Sequence, residues 1–203
     1  MANSTGDKIV GFILSVIVVL LVRGCWQGLN KEESHLATPS IHAAKVSERP
    51  WFANTQFGFT IMTPDQLKSN AANIPEGMDE EVTRLRSYSY TSPEFAVFVT
   101  YVNFKTYSYD TKRGIRLSIE NMVNTVQGSN LALKYYPAFN DFGGDNDLRC
   151  IGSCIVKSSR TSIRGYGYWN GEKAALIVVA IGNADMETEA KLDRVIDEVK
   201  VNF

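Results

Sequence analysis

The stretch FAVFVTYVNF, Phe95 to Phe104, decides the fold. Apolar residues occupy both alternating sets of positions, which is typical of a strand that is covered on both faces. A second stretch, AALIVVAI at Ala174 to Ile181, has the same character. The sequence therefore predicts a sheet with these two strands near its centre and with other elements packed on each face.

A hairpin signal immediately precedes the second stretch. Asn170-Gly171 favours a two-residue type I′ turn, because both residue types tolerate a positive φ. It predicts that Thr161–Trp169 pairs with Lys173–Ile181. Further strands are predicted at Phe57–Met62, Val82–Tyr90, Leu131–Tyr135 and from Leu148 onward.

Two amphipathic helices complete the domain. The first has Thr111 as its N-cap and Gly128 at its C-terminal cap, and the second begins at the N-cap Asp185. This order of elements predicts an α+β domain over residues 51–203, an antiparallel sheet with helices packed on its faces. The apolar positions at helical spacing are Ile115, Ile119, Met122, Val123 and Val126 in the first helix and Leu192, Val195, Ile196 and Val199 in the second.

An uninterrupted apolar run, IVGFILSVIVVLLV, lies ahead of the domain at Ile9–Val22. As a helix it is about 21 Å long, shorter than the ~30 Å hydrocarbon core of a bilayer, and that length suits a cleaved signal peptide. No small-residue cleavage site follows closely, however, and Arg23 can snorkel so that the span extends to Trp26. We therefore predict an N-terminal apolar membrane helix, with residues 1–26 as the signal or anchor segment.

Cys25 offers an alternative form of attachment. Val22-Arg23-Gly24-Cys25 partly resembles a bacterial lipobox, which would place a diacylglyceryl group on Cys25, although Arg23 departs from that pattern. In either form the domain is expected to lie outside the cytoplasm, joined to the membrane by a polar linker at residues 27–50. A flexible coil of that length spans about 25–30 Å.

Composition and histidine content exclude several functions. The chain has 21 Lys and Arg against 22 Asp and Glu, so it lacks the basic excess of a nucleic-acid-binding protein. Both histidines, His35 and His42, fall in the linker, and the domain therefore has no imidazole for a Ser-His-Asp triad, a Cys-His pair or an H-E-x-x-H zinc site. We assign no catalytic, cofactor-binding or metal-binding residue and expect no cofactor.

Cys150 and Cys154 leave two states open. Residues four apart on a straight strand are about 13 Å apart, whereas a disulfide needs Cα atoms within ~7 Å, so a bridge would require a bend at Gly152. The alternatives are that disulfide or two free buried thiols. An enzyme that uses the two thiols, or carboxylates, is the rival function, although C-x-x-x-C is not the C-x-x-C of thioredoxin-like centres.

Basic and aromatic side chains recur on the predicted strands. Arg84 and Arg86 share one face of their strand, and Lys157, Arg160 and Arg164 fall around the hairpin. They are interpreted either as solvated positions or as an anion-binding patch. The tyrosines suit a half-buried sheet or an interface, and those on predicted strands are Tyr88, Tyr90, Tyr101, Tyr135, Tyr166 and Tyr168.

With this order of elements, the domain resembles the PsbP-like superfamily over about residues 51–203. The resemblance lies in Phe57–Ile61 before Pro64, the amphipathic helix before Gly128, the Asn170-Gly171 hairpin with AALIVVAI, and Leu192–Val201. It implies α/β/α layers around an antiparallel sheet and a non-enzymatic domain that binds or assembles partner proteins. It carries no site residues across.

The sequence therefore predicts a membrane-tethered, extracytoplasmic binding or assembly module whose ligand it does not identify. The expected partners are the membrane, through Ile9–Val22, and a protein. Nucleic acid is not expected.

Overall fold

The computed structural model describes residues 50–72, 74, 82–105, 111–125, 127–137, 147–171 and 173–203. The apolar run Ile9–Val22, Arg23, Cys25 and the linker up to residue 49 lie outside these ranges, and the tether and its lipidation stay predictions. Within the ranges, no helix combines the length and the apolarity that crossing a bilayer requires.

The described ranges form ten strands and two helices, and each paired strand is antiparallel to its neighbour. Seven strands form one sheet in the order β3-β4-β5-β9-β8-β7-β6, and a second sheet has the order β1-β2-β10. The bounds are β1 Phe52–Gln56, β2 Phe59–Thr63, β3 Lys68–Asn70, β4 Val82–Thr91, β5 Phe95–Phe104, α1 Thr111–Thr125, β6 Ser129–Pro137, β7 Asp147–Val156, β8 Ser159–Trp169, β9 Ala174–Asn183, α2 Met186–Asp197 and β10 Lys200–Val201.

The predicted central strands, β5 and β9, are neighbours in the seven-stranded sheet, with Val99 opposite Val178. Their side chains alternate between two cores. Phe98 and Val179 belong to the core that includes residues of α1, whereas Val99 and Val178 belong to the core that includes residues of α2 and β2. We call the two sides of the large sheet the α1 face and the α2 face, and the prediction of an antiparallel sheet with helices on its faces is confirmed.

The hairpin after Trp169 is confirmed, but its predicted type I′ turn is wrong. Gly171 has a φ of 79°, whereas Asn170 does not have a positive φ. Strand β9 begins at Ala174, so the loop is longer than two residues. Its first residue closes it, because the Oδ1 of Asn170 accepts hydrogen bonds from the backbone N–H groups of Lys173 and Ala174, each at 3.0 Å.

The helix ends show one confirmed cap and one shifted cap. Asp185 precedes α2 as predicted, and its Oδ1 accepts the N–H of Thr188 at 2.9 Å. At the end of α1 the positive φ of 55° belongs to Gln127 rather than to Gly128. Gly128 is the next residue, and its N–H donates to the Val123 carbonyl at 2.8 Å. A glycine is needed at this position because a Cβ there would lie 2.7 Å from the Val123 side chain. The predicted apolar position Val126 lies outside the described ranges.

Candidate functional site

Helix α2 crosses the α2 face and leaves a depression along each of its sides. On one side lie Trp51, the β4–β5 turn and the Lys191 edge of the helix. On the other side lie strands β6 to β8 and the Glu189 edge of the helix. Both depressions are therefore bounded by residues of one helix and by the same sheet.

The first depression, which we call the Trp51 pocket, has a volume of about 610 Å³. Its walls are aromatic: the rings of Trp51 and Phe95 stack with centroids 6.4 Å apart, and the Tyr90 ring lies 5.3 Å from that of Phe95. Pro64 and Pro93 add rigid apolar surface. Such a lining suits a flat or cyclic apolar group.

The local sequence explains how these rings meet. The turn between β4 and β5 is closed at Ser92, whose N–H donates to the Phe95 carbonyl at 2.9 Å and whose Oγ accepts the Phe95 N–H at 3.1 Å. That turn brings Tyr90 and Phe95 together. Trp51 directly precedes β1, and the guanidinium of Arg194 on α2 lies 4.3 Å from its ring centroid.

The charges around the Trp51 pocket are paired. The Lys191 ammonium donates to Glu94 at 2.6 Å and to Glu187 at 2.8 Å, and these carboxylates, Glu187 first, raise the pKa of Lys191 to about 12. Arg194 donates to Glu198 at 3.0 Å. Lys191 and Arg194 are therefore both paired with carboxylates. Glu94 and Glu187 each keep one carboxylate oxygen that can accept a hydrogen bond from an N–H group of a bound chain.

The second depression has a volume of about 400 Å³. Lys134, Ile151 and Arg164 lie opposite one another across β6, β7 and β8, and Ile155 lies opposite Arg160. Ile151 and Ile155 are 43 % and 37 % exposed. We call Lys134, Ile151, Ile155 and Arg160 the Ile151 patch.

Three acidic side chains of α2 bond the helix to strands β7 and β8. Glu189, Asp193 and Asp197 are spaced by four residues and so share one side of the helix. They accept hydrogen bonds from Ser162, Arg164 and Arg149, respectively. Arg164, which the sequence places among solvated or anion-binding residues, is instead buried and its Nε lies 2.5 Å from Asp193.

The remaining predicted cations do not gather into one patch with Arg164. Arg84 lies over the Phe57 ring, 5.1 Å from its centroid, while Arg86 donates to the Leu85 carbonyl at 2.9 Å. In the predicted hairpin group of Lys157, Arg160 and Arg164, Arg164 is committed to Asp193. Arg160 remains at the surface within the Ile151 patch.

Cys150 and Cys154 are free, buried thiols on β7. The bend that a bridge would need is missing, because β7 pairs with β8 in unbroken register, Cys150 opposite Gly165 and Cys154 opposite Thr161. Burial raises the pKa of Cys150 to about 12 and also raises that of Cys154. The protonated, enclosed thiols give the thiol-enzyme alternative no nucleophile near neutral pH.

The sequence did not identify the Trp51 pocket. Trp51 is recognisable there only as the first residue of the domain, and Arg194, which covers its ring, lies far along the chain. Tyr90 is singled out only as one of several tyrosines on strands. A large aromatic residue at a domain border is the signal that could have drawn attention to the site.

Comparison with known proteins gives a weak structural similarity. No protein-family model matches the sequence, and no curated protein matches it, so the PsbP-like resemblance stays a prediction. The solved structures that the chain is similar to include LpqN, described as involved in cell envelope biogenesis of Mycobacterium tuberculosis. That match has 13 % sequence identity and a TM-score of 0.39, and it covers 75 % of this chain and 90 % of that one.

Proposed function

We propose that this chain is a membrane-tethered, extracytoplasmic binding module, and that the Trp51 pocket holds an extended segment of a partner protein. The observation that carries the proposal is the pocket itself, about 610 Å³ lined by Trp51, Tyr90, Phe95 and two prolines. Its volume falls in the range of ligand-binding pockets, roughly 300–1,000 Å³. Membership of the PsbP-like superfamily is part of the proposal, supported by the antiparallel sheet with a helix on each face.

The chemistry of the pocket favours a peptide that presents proline or aromatic side chains. Aromatic-lined grooves accept proline-rich segments because such segments are already extended and lose little entropy on binding. The rim carboxylates, Glu94 and Glu187, are 52 % and 79 % exposed in their side chains and can accept backbone N–H groups of the segment. An anionic ligand is disfavoured, because Lys191 already has both carboxylates as partners.

Tryptophan fluorescence tests the pocket. The chain has three tryptophans, and Trp26→Phe with Trp169→Phe leaves Trp51 as the reporter. Titration of the full-length protein in detergent with proline-rich peptides should give a saturable change in Trp51 emission. Ala190→Arg, which places a long side chain in the pocket, should abolish the change, whereas Asn124→Arg on the exposed side of α1 should not. No saturable change, or equal loss in both variants, would contradict the proposed pocket.

Fractionation tests the tether separately. The full-length protein should remain with membranes after alkaline extraction, and external protease should reach the domain in spheroplasts. Mass analysis of the N-terminal fragment distinguishes the two attachments, since a diacylglyceryl group on Cys25 would show the lipoprotein form. Recovery of the intact chain in the cytosol would remove the tether from the proposal.

A further inference from the structure

We infer that the Ile151 patch is a contact surface for an anionic membrane, a role that rests on the proposed tether but uses a different surface from the Trp51 pocket. The patch is the part of the α2 face that lies beyond the helix. Helix α2 packs on β8 and β9, and its bond to β7 is the one that Asp197 accepts from Arg149. The side chains that β6 and the outer half of β7 direct to the α2 face therefore lie outside the helix contact, whereas their alternate residues pack in the core with α1.

Aliphatic and basic residues alternate within the patch in direct register. Lys134 lies opposite Ile151, and Arg160 lies opposite Ile155. Directly opposite residues point to the same face of a sheet, so each half-exposed isoleucine has a cation beside it. Surfaces that insert aliphatic side chains at the headgroup boundary while cations contact anionic lipids have this composition.

The acids near the patch offset only part of its charge. On the adjacent side of α2, Asp193 pairs with Arg164 and Asp197 pairs with Arg149. Glu189 accepts a hydrogen bond from the neutral Ser162 hydroxyl and keeps its charge, so one acid stands against the two cations Lys134 and Arg160. Arg160 forms no ion pair with any residue that the structure describes, and the Lys134 ammonium lies 5.1 Å from the Tyr136 ring centroid. The patch is therefore positive with an apolar centre.

The chain also enters the domain on this face. Trp51, the residue next to the linker, packs against the core that contains Leu192 and Val195 of α2. Arg164, in the same row as Ile151, donates to Asp193 of that helix. Trp51, next to the predicted linker, therefore lies on the face that carries the patch, which favours a lipid surface over an acidic protein segment as its occupant.

Nanodiscs of stated composition test the inference with the full-length chain. An environment-sensitive fluorescent amino acid in place of Ser153, between Ile151 and Ile155 on β7, reports on the patch and leaves Cys25, the attachment residue of the lipoprotein form, unchanged. Discs of phosphatidylcholine mixed with phosphatidylglycerol should shift the emission to shorter wavelength and allow quenching by doxyl lipids. Discs of phosphatidylcholine alone should give neither effect. A label at Asn124 on α1 should stay in water in both, and ~1 M salt should release the patch.

Charge variants test how much the cations of the patch contribute to membrane docking. Lys134→Gln with Arg160→Gln should lower the ratio of docked to undocked protein by about 25-fold, roughly fivefold for each cation. Lys112→Gln with Arg113→Gln removes two cations from α1, on the opposite face, and should change the ratio less than twofold. Ile151→Ser with Ile155→Ser should lower doxyl quenching while the protein stays folded.

Three results would overturn the inference, and they differ from one another. Protein that does not remain with the discs removes the tether, and the patch loses its basis with it. Protein that remains with anionic discs but gives no lipid signal at Ser153 leaves the tether standing and rejects the patch. Protection of Ser153 in native membranes but not in anionic discs would identify a protein as the occupant instead.

Discussion

Asp193→Asn should destabilise the domain by about 2 kcal/mol, because it leaves the Arg164 charge buried without its principal partner. The side chain of Arg164 is 9 % exposed, and that of Asp193 is 48 % exposed. Breaking a fully buried pair costs about 3–5 kcal/mol, whereas an exposed pair contributes about 0–1 kcal/mol. The half-exposed acid and the nearby Glu189, 3.8 Å from the guanidinium, place this pair between those limits.

Two companion variants isolate the cause. Asp197→Asn removes the acid that bonds Arg149, a pair whose side chains are 61 % and 34 % exposed, and should cost less than about 1 kcal/mol. Arg164→Met removes the buried charge and keeps an unbranched apolar side chain, so it should cost less than Asp193→Asn. In the Arg164→Met background, Asp193→Asn should have almost no effect, because the charge that it strands is gone.

Urea unfolding of the full-length chain in mild detergent, followed by tryptophan fluorescence, measures these differences at constant m-value. Equal losses for Asp193→Asn and Asp197→Asn would refute the argument from burial. An undiminished loss for Asp193→Asn in the Arg164→Met background would show that the aspartate acts through something other than Arg164.

Three further substitutions or titrations follow from local geometry. Gly165→Ala should lower stability by about 1–3 kcal/mol in the same urea assay, since its Cβ would lie 2.5 Å from the buried Cys150 sulfur. Ellman's reagent should leave Cys150 and Cys154 unmodified in the folded chain and modify both after unfolding without reductant. A pair that needs reductant first would establish the disulfide. The Thr188 backbone N–H lowers the pKa of Asp185 below its ordinary value of 3.8, so the stability that this carboxylate contributes is complete above that value and lost as pH falls through the lowered pKa. Asp185→Asn should therefore weaken the fall in Tm below about pH 4, measured by circular dichroism against the unsubstituted chain.

The local sequence pattern was sufficient to predict elements whose burial is uniform and caps whose partner is close in the chain. Strands β5 and β9 are apolar on both faces and could belong only at the centre of a covered sheet. Asp185 caps α2 through a bond to a residue three positions away, so nothing distant is needed to recognise it. These features depend on sequence neighbours or on the residue's own apolarity.

Pattern failed where distant contacts decide the conformation. Phe57 was predicted to begin a strand, but it has a φ of 42° in the turn between β1 and β2. Its ring stacks on Tyr101 with centroids 5.4 Å apart and Arg84 lies over it, contacts that hold an unfavourable backbone conformation. Strand β1, FANTQ, was not predicted, because its mostly exposed residues show no apolar alternation. The Trp51 pocket was missed for the same reason, since Arg194 reaches Trp51 only in the folded chain.

Helix α2 makes the two proposed surfaces separable. Asp193, on one side of the helix, pairs with Arg164 of the sheet, and Lys191, on the other side, pairs with Glu94 at the Trp51 pocket. The two surfaces therefore use different charged residues. Under both proposals the Ile151 patch contacts lipid and the Trp51 pocket, on the other side of the helix, holds a protein segment. Ala190 lines one depression and Lys134 and Arg160 line the other, so the effects of Ala190→Arg on peptide binding and of the Lys134/Arg160 double variant on membrane docking should be independent. Coupling between them would mean that the pocket and the patch engage one continuous partner rather than two.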